Sequence, residues 1–144
     1  MRLAAALWAE LSTTYPEMTA PPFPPRDIVG ERAVFMVASL GGKAIGCGAI
    51  RPFPAPAGIG LALVAEVKRM YVAPAARGRG VAAAILRTLE AWAAERGYLT
   101  LRLETGGRQP FAVRLYEGFG YHRIPPYGHH AGDPLALCFE KALR

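Results

Sequence analysis

The order of strand-like and helix-like segments in this chain of 144 residues predicts an α+β domain built on a mixed sheet. A tight Gly41-Gly42 turn joins two apolar, strand-like runs, which indicates a β-hairpin. Farther along, segments with apolar residues at helical spacing alternate with short strand-like runs. The length suffices for one hydrophobic core but not for two, so we expect a single domain over residues 1–144.

Each predicted element follows from a local pattern. Leu3, Leu7 and Leu11 fall on one helical face, and the dense prolines after Tyr15 exclude regular structure. Gly97 is placed to end the central helix as its C-terminal cap. In chain order the predicted elements are a helix over 3–15, a connector over 16–25, strands over 33–40 and 44–50, a loop over 51–58, a strand over 61–72, a helix over 81–96, a strand over 98–104, a helix over 109–118, and strands over 121–124 and 134–140.

The composition is typical of a compact globule, since hydrophobic residues make up 52% of the chain and charged residues 19%. No uncharged apolar run reaches the length of about 18 residues that a membrane span needs, so we expect none. We interpret the apolar N-terminus as a helix rather than a signal peptide. Cys47 and Cys138 lie in apolar runs and are predicted to be buried thiols, which makes a cytoplasmic location the expected one.

Two kinds of partner are not expected. The net charge is +6, from 17 basic and 11 acidic residues, but the basic residues are dispersed and lack interleaved aromatic residues. We therefore expect no nucleic-acid partner. We also expect no metal, because His129 and His130 are adjacent and no His-x-x-x-His or Cys-x-x-Cys spacing accompanies them.

The most informative segment is Arg77-Gly78-Arg79-Gly80-Val81-Ala82, between an apolar strand and a strong helix. The first backbone N–H groups of a helix lack intrahelical partners and, with the helix dipole, bind anions. Glycines let this backbone approach a phosphate, and arginines add positive charge. The features of a Walker loop and of a Rossmann fingerprint are absent. The segment therefore predicts a phosphate cradle of another kind, with a basic turn capping an ordinary helix as the alternative.

Two motifs of the chain resemble those of the GCN5-related N-acetyltransferase (GNAT) superfamily. The family's acetyl-coenzyme A loop, Arg/Gln-x-x-Gly-x-Gly/Ala, follows a strand that ends in an apolar-Val pair. Here Met70-Tyr71-Val72 precedes Arg77, Gly80 and Ala82 in register. The second family pattern, Asn-x-x-Ala-x-x-Leu-Tyr-x-x-x-Gly-Phe, is matched by Gln109, Ala112, Leu115, Tyr116, Gly120 and Tyr121, with Gln in place of Asn and Tyr in place of Phe. The resemblance covers residues 59–123 well and the flanks only in general layout.

The resemblance implies a GNAT-type fold, with a central mixed, mostly antiparallel sheet flanked by helices, and N-acetyltransferase activity with acetyl-coenzyme A (acetyl-CoA). It implies direct transfer to the primary amine of an acceptor that the sequence does not identify. No cysteine lies in the motif region, which argues against an acyl-enzyme intermediate. A non-catalytic acyl-CoA sensor is the alternative, and relatives commonly form homodimers. By the resemblance, the cofactor-binding residues are Met70, Tyr71, Val72, Arg77, Gly78, Arg79, Gly80, Val81, Ala82, Gln109, Ala112 and Tyr116.

The resemblance points to Glu66 as the general base that deprotonates the acceptor amine. In several family members a glutamate six residues before the equivalent of Val72 has this role, directly or through a water. Apolar neighbours indicate that Glu66 is partly desolvated. The alternative is an ordinary pairing with Lys68 or Arg69 at the sheet surface. A strand period of two predicts that Glu66, Lys68, Met70 and Val72 share one face.

Tyr116 matches the family tyrosine that faces the sulfur of coenzyme A and can protonate the leaving thiolate. We predict that Phe111, Leu115 and Phe119 form the core stripe of this helix and leave Tyr116 to one side. A packed tyrosine with its hydroxyl bonded to the backbone is the alternative. For polarisation of the thioester carbonyl, the resemblance points to backbone N–H groups near Met70.

Three further features stay open between a functional and a structural interpretation. Gln109 either contacts the pantetheine arm, as the family Asn does, or caps its helix. The pair Glu104-Thr105 borders the acceptor site or is ordinary strand-end polarity. Residues 125–130 line the acceptor pocket or form a surface turn.

Overall fold

The computed structural model describes residues 32–53, 63–106, 110–128, 131–132, 134 and 136–143. The helix predicted over 3–15, the connector over 16–25 and most of the loop over 51–58 lie outside these residues. The strands are β1 (Val34–Leu40), β2 (Lys43–Pro52), β3 (Val64–Val72), β4 (Thr100–Gly106), β5 (His122–Ile124) and β6 (Ala136–Ala142), and the helices are α1 (Val81–Glu95) and α2 (Pro110–Gly118). Neither of these two helices is long and apolar enough to cross a membrane.

The six strands form one sheet in the order β1-β2-β3-β4-β6-β5. Among them only β3 and β4 run parallel, connected through α1, and the other neighbours are antiparallel. This arrangement confirms the predicted α+β class with a mixed, mostly antiparallel sheet. The strands predicted over 98–104 and 134–140 each begin two residues later than expected, and an unpredicted 3-10 turn, Pro74–Ala76, follows β3.

The predicted hairpin joins β1 to β2. Leu40 pairs with Lys43, and the two residues between them, Gly41 and Gly42, have φ angles of 58° and 79°. Positive φ at both central positions is the type I′ arrangement, whose twist matches that of the flanking strands. Glycine adopts this backbone without the steric penalty that a Cβ brings. The Gly-Gly pair therefore sets the register next to the turn, and a shift of one residue between Ala38 and Ser39 sets that of the rest of the hairpin.

A β-bulge at Arg69 interrupts the regular pairing of β3. Tyr71 lies opposite Cys47, but Lys68 lies opposite Ala49, so β3 contains one residue more than β2 over this stretch. Arg69 has a φ angle of 62°, in the left-handed region that non-glycine residues seldom occupy. The bulge therefore shifts the alternation of all side chains that follow it.

This shift contradicts the predicted side-chain alternation along β3. Glu66 and Lys68 face away from α1, whereas Met70 and Val72 reach the face that α1 covers. There Met70 packs against the same hydrophobic core as Val67. The prediction that Glu66, Lys68, Met70 and Val72 share one face is therefore wrong, because the extra residue changes the period of two at the bulge. We call the side covered by both helices the helix face and the opposite side the far face.

The hydrophobic core lies between the helix face and the two helices. From α1 it receives Ile85, Leu86 and Leu89, which are 5%, 0% and 0% exposed. Gly48 of β2 lies directly beneath α1, where a Cβ would come within 2.6 Å of the Met70 sulfur, 2.8 Å of Ile85 Cγ2 and 2.9 Å of Leu89 Cδ1. The missing side chain of Gly48 therefore allows α1 to pack closely on the sheet.

We expect Gly48→Ala to destabilise the protein by about 2 kcal/mol, because the added methyl group overfills a packed interface. Urea unfolding measures this free energy. Gly118→Ala is the matched control, since a Cβ at Gly118 meets nothing within 4 Å among the described residues and alanine is the better helix former. Equal unfolding free energies for the two variants would contradict the close approach of α1 to the sheet.

The two parallel strands separate beyond the middle of the sheet. β3 and β4 pair over Val64–Val67 and Thr100–Leu103, after which β3 follows β2 as far as Val72 and β4 follows β6 as far as Gly106. Within the described residues this leaves a gap between the carboxyl ends of the parallel strands. Crevices at this position bind ligands in many open sheets, and here α1 begins just beyond it.

Candidate active site

The predicted phosphate cradle consists of a left-handed turn followed by the N-terminus of α1. Gly78 and Gly80 have φ angles of 80° and 77°, and Gly80 is the N-cap of the helix without a side-chain capping bond. A Cβ built on either glycine meets nothing within 4 Å in the described part of the chain. The first turn, which includes Val81 and Ala82, carries no acidic residue. Its backbone N–H groups are therefore placed to receive an anion.

Both arginines of the cradle are exposed. Arg77 folds back on the end of β3, where its Nε donates to the Val72 carbonyl oxygen at 3.0 Å and its guanidinium lies 5.5 Å from the centre of the Tyr71 ring. Arg79 follows between the two glycines. The structure thus brings the end of β3 and the glycine turn together, as the motif predicts.

The remaining predicted cofactor residues differ in their placement. The Met70 side chain packs into the core on the helix face, so only its backbone is available to the β3–β4 gap. Ala112 is partly buried against the core from α2. Gln109 lies outside the described residues.

Tyr116 is buried on the helix face, with 5% of its surface exposed. Its ring packs edge-on against Tyr121, with centroids 5.8 Å apart, and at a tilt against Phe139, with centroids 6.2 Å apart. No hydrogen bond to its hydroxyl occurs among the described residues, so the alternative of a backbone-bonded hydroxyl is not supported there. Burial, with the nearby Glu104 carboxylate, raises the pKa of Tyr116 to about 12. The phenol therefore stays protonated at neutral pH.

The prediction of which face of α2 packs against the core is wrong. Phe111 is 79% exposed, and the Arg114 guanidinium lies over its ring at 4.7 Å. Leu115 and Phe119 do pack against the core, but the most buried residue of the helix is Tyr116. Because the large ring of Tyr116 turns toward the sheet, the buried face is centred on it rather than to one side of it.

Glu66 is buried on the far face of β3, with 4% of its surface exposed. Its Oε1 accepts hydrogen bonds from Arg51 Nε at 3.0 Å and Nη2 at 2.8 Å, and its Oε2 accepts one from the Tyr127 hydroxyl at 2.8 Å. Its ion-pair partner is therefore Arg51 of β2, not Lys68 or Arg69, and the pair is buried rather than at the surface. A carboxylate held at both oxygens has a fixed orientation.

The sequence did not indicate that Arg51 and Tyr127 contact Glu66. Arg51 lies directly opposite Glu66 in the β2–β3 register, which becomes visible only when the strand pairing is known. Tyr127 belongs to the segment for which a pocket lining and a surface turn were both open. Its ring packs edge-on against Phe53 at 5.0 Å, and burial, with the Glu66 carboxylate, raises the pKa of Tyr127. The contact with Glu66 shows that the Tyr127 side chain packs against the far face of the sheet.

Glu66 belongs to a row of alternating charges across the far face. Arg51, Glu66, Arg102 and Glu140 are register neighbours on β2, β3, β4 and β6. Arg102 Nε donates to Glu140 Oε2 at 2.7 Å, and both of these side chains are more than a quarter exposed. Opposite charges on adjacent strands stabilise the sheet. Glu66 is the most buried member of the row, and a cation lies on each side of it.

Glu104 lies close to the residues of both sheet faces that form the candidate site. It lies on β4 at the β3–β4 gap, half-buried, in the stretch beyond the pairing with β3. Its negative charge contributes to the raised pKa values of both Tyr116 and Tyr127. The two phenols therefore approach the same carboxylate from different elements.

Neither cysteine is an exposed nucleophile. Cys47 and Cys138 are buried free thiols, as predicted. Burial raises the pKa of Cys47 to about 12 and also raises that of Cys138. In the part of the chain that the structure describes, no group of three or more His, Cys, Asp or Glu side chains could hold a metal ion. His129 and His130 lie outside that part.

Comparison with known proteins identifies the family to which this site belongs. Residues 2–121 match the Acetyltransferase (GNAT) family. The chain belongs to the GNAT family. It is therefore an acyltransferase of the N-acetyltransferase type, from a family that uses acetyl-CoA.

Three relatives illustrate the similarity of this GNAT enzyme to other proteins. An "IAA acetyltransferase" of Azospirillum brasilense is 39% identical over 109 residues, which cover 76% of this chain and 67% of the relative. The crystal structure of a Klebsiella pneumoniae protein classed as an acyl-CoA N-acyltransferase superposes with a TM-score of 0.73 at 33% identity, covering 97% of this chain and 89% of the other. PaiA N-acetyltransferase of Thermoplasma acidophilum, solved in complex with coenzyme A, superposes with a TM-score of 0.63 at 18% identity, covering 76% and 60% of the two chains. The last of these shows a shared fold.

Proposed function

We propose that this GNAT enzyme transfers the acetyl group of acetyl-CoA directly to a primary amine in a ternary complex. One observation carries the proposal. The gap between β3 and β4 opens beside the anion-binding end of α1, with the buried Glu66 carboxylate on the far face and the buried Tyr116 phenol on the helix face. A thioester lying in this gap would have a proton acceptor and a proton donor on different sides.

The reaction begins with the acceptor amine, which is a cation at neutral pH. Glu66 takes up its proton, and the neutral nitrogen attacks the thioester carbonyl carbon. Backbone N–H groups of β3 near Met70 stabilise the oxyanion, because the strand has left β4 at this point. When the tetrahedral intermediate collapses, the C–S bond breaks, Tyr116 protonates the departing sulfur, and the second proton released by the attacking nitrogen restores the Tyr116 hydroxyl. A new C–N bond replaces the C–S bond, and the products are an amide and free coenzyme A.

Direct transfer fits the state of the two cysteines. An acyl-enzyme route needs a thiolate nucleophile, whereas burial raises the pKa of Cys47 to about 12 and raises that of Cys138. Both thiols therefore stay protonated and shielded. Among the described residues, no cysteine is therefore suited to accept the acetyl group before the amine does.

Coenzyme A is proposed to bind along the end of β3 and the start of α1. Its pyrophosphate would lie on the glycine turn, within reach of Arg77 and Arg79. The pantetheine arm would run beside Tyr71 and Val72, between the strands. The acetyl end would then reach the gap between the Tyr116 side and the Glu66 side of the sheet.

Isothermal titration with acetyl-CoA, followed by a thiol-release assay over a panel of primary amines, tests this function. The panel contains simple alkyl and aromatic amines, free amino acids, polyamines, a peptide with a free N-terminus and a lysine peptide. Binding with thiol release for one class supports the transferase. Binding without release for any amine supports a non-catalytic acyl-CoA sensor, and no binding contradicts the cofactor site.

We expect Gly80→Asp to raise the Kd for acetyl-CoA about tenfold or more, because it adds a negative charge where the phosphates are proposed to bind. Gly80→Asn is the matched control. Both side chains tolerate the left-handed backbone better than most residues, and neither meets a described atom within 4 Å at the Cβ. Titration of both variants therefore isolates the charge. If Gly80→Asp and Gly80→Asn have similar Kd values for acetyl-CoA, the phosphates do not bind at this turn.

A further inference from the structure

We propose that Tyr127 relays the acceptor's proton to Glu66, so that its hydroxyl, not the Glu66 carboxylate, is the group that contacts the acceptor amine. This inference rests on the proposed transferase function. It assigns a catalytic role to a residue outside both GNAT motifs of the sequence.

The carboxylate itself is poorly placed to meet a substrate. The Glu66 side chain is 6% exposed, and its Oε1 is held by two N–H groups of Arg51. The Tyr127 hydroxyl stands on the other oxygen, Oε2, at 2.8 Å. A carboxylate with three charge-assisted or hydroxyl hydrogen bonds has little room left for a fourth partner.

Tyr127 is more accessible than the group it contacts. It is intermediate in exposure, whereas Glu66 is buried, and it lies between β5 and β6 rather than inside a strand. The edge-on contact with Phe53 fixes its ring from the end of β2. The β3–β4 pairing ends one residue after Glu66, so the Tyr127 hydroxyl on Glu66 Oε2 lies at the start of the gap. A substrate that enters this gap would therefore meet Tyr127 before Glu66.

A phenol can carry out the transfer because it donates and accepts at the same oxygen. The N–H bond of the ammonium breaks as a new O–H bond forms on the Tyr127 oxygen. The original tyrosine proton moves at the same time to Glu66 Oε2. The result is a neutral amine, an unchanged tyrosine and a protonated Glu66. Burial and the adjacent carboxylate raise the pKa of Tyr127, which disfavours a phenolate intermediate and favours concerted movement of the two protons.

The test compares Tyr127→Phe with Tyr98→Phe, using the panel amine that the parent acetylates fastest. Each variant removes one partly or fully buried hydroxyl that donates at 2.8 Å, to Glu66 in one case and to the Arg32 carbonyl oxygen in the other. We expect Tyr127→Phe to lower kcat/KM for the amine about 100-fold, with an unchanged Kd for acetyl-CoA. Tyr98→Phe is expected to retain the parent value.

A proton inventory in mixtures of H₂O and D₂O provides a readout that a structural role would not change. We expect a curved inventory for the parent and Tyr98→Phe, since two protons move together, and a linear one for Tyr127→Phe. If the parent is active and Tyr127→Phe has the same proton inventory and the same kcat/KM, the relay is wrong but the transferase function stands. A parent that acetylates no amine of the panel would overturn the transferase function, and the relay with it.

Discussion

Replacement of Tyr116 by phenylalanine is expected to lower kcat for acetyl transfer by about 100- to 1,000-fold, the range that one general acid contributes. The Kd for acetyl-CoA is expected to stay within about twofold of the parent, because the hydroxyl acts on the departing sulfur and not on the bound ground state. Steady-state kinetics and isothermal titration measure the two quantities. Phenylalanine keeps the ring that packs against Tyr121 and Phe139, so the core is preserved.

The acidity of Tyr116 suits a sulfur that leaves into the same buried environment. Burial raises the pKa of this phenol to about 12 and that of the Cys47 thiol to about 12 as well. A coenzyme A thiolate that forms beside the buried Tyr116 ring would also lose hydration, which raises its affinity for a proton. Desolvation therefore acts in the same direction on donor and acceptor, so the raised pKa of Tyr116 is compatible with a general-acid role.

The raised pKa also predicts a pH dependence of stability. The pKa of Tyr116 rises from its ordinary value of 10.0 to about 12 on folding, so the folded chain holds this proton more tightly than the unfolded chain. The resulting stabilisation is complete below pH 10 and is lost as the pH rises toward 12. Urea unfolding of the parent and of Tyr116→Phe over this interval should show the steeper decline of the unfolding free energy in the parent.

The kinetic prediction for Tyr116→Phe has its own contradicting outcome. A kcat for this variant equal to that of the parent would remove the general-acid assignment.

Local signals in the sequence predicted the backbone geometry of the glycine turn at which coenzyme A is proposed to bind. The glycines of Arg77–Ala82, the strand before them and the helix after them are adjacent in the chain, so their arrangement depends on short-range backbone preferences. The left-handed φ angles of Gly78 and Gly80 and the start of α1 at Val81 agree with that prediction. The hairpin at Gly41-Gly42 was predictable for the same reason.

The acceptor half depends on contacts between distant residues, which a single sequence does not specify. Arg51 meets Glu66 only through the register of β2 and β3, and the connection between these strands is too long to fix that register as a two-residue turn would. No glycine stands at Arg69 to indicate a bulge from the sequence, yet the bulge moves Met70 to the helix face. Tyr127 reaches Glu66 from 61 residues away along the chain. The general base could thus be proposed from its offset, but the groups that hold it could not.

Glu66→Gln is expected to lower kcat/KM for the amine by about 100- to 1,000-fold, because the amide has nearly the same shape but cannot accept the proton. It is also expected to destabilise the protein by about 2 kcal/mol, since Arg51 then donates to a neutral partner in a buried position. Steady-state kinetics with the acetylated amine and urea unfolding measure the two effects. A kcat/KM for Glu66→Gln equal to that of the parent would mean that the base is another group.

Glu140→Gln separates the loss of the base from the loss of a charge. Glu140 belongs to the same row and pairs with Arg102 at 2.7 Å, but these two side chains are 26% and 29% exposed, so neutralisation is expected to cost less than about 1 kcal/mol. Each variant removes one negative charge from the far face. If only Glu66→Gln loses turnover, the effect comes from the position of its carboxylate at the β3–β4 gap and not from the electrostatics of the row. If both variants lose turnover equally, the row stabilises the sheet that carries the site, and Glu66 has no special chemical role.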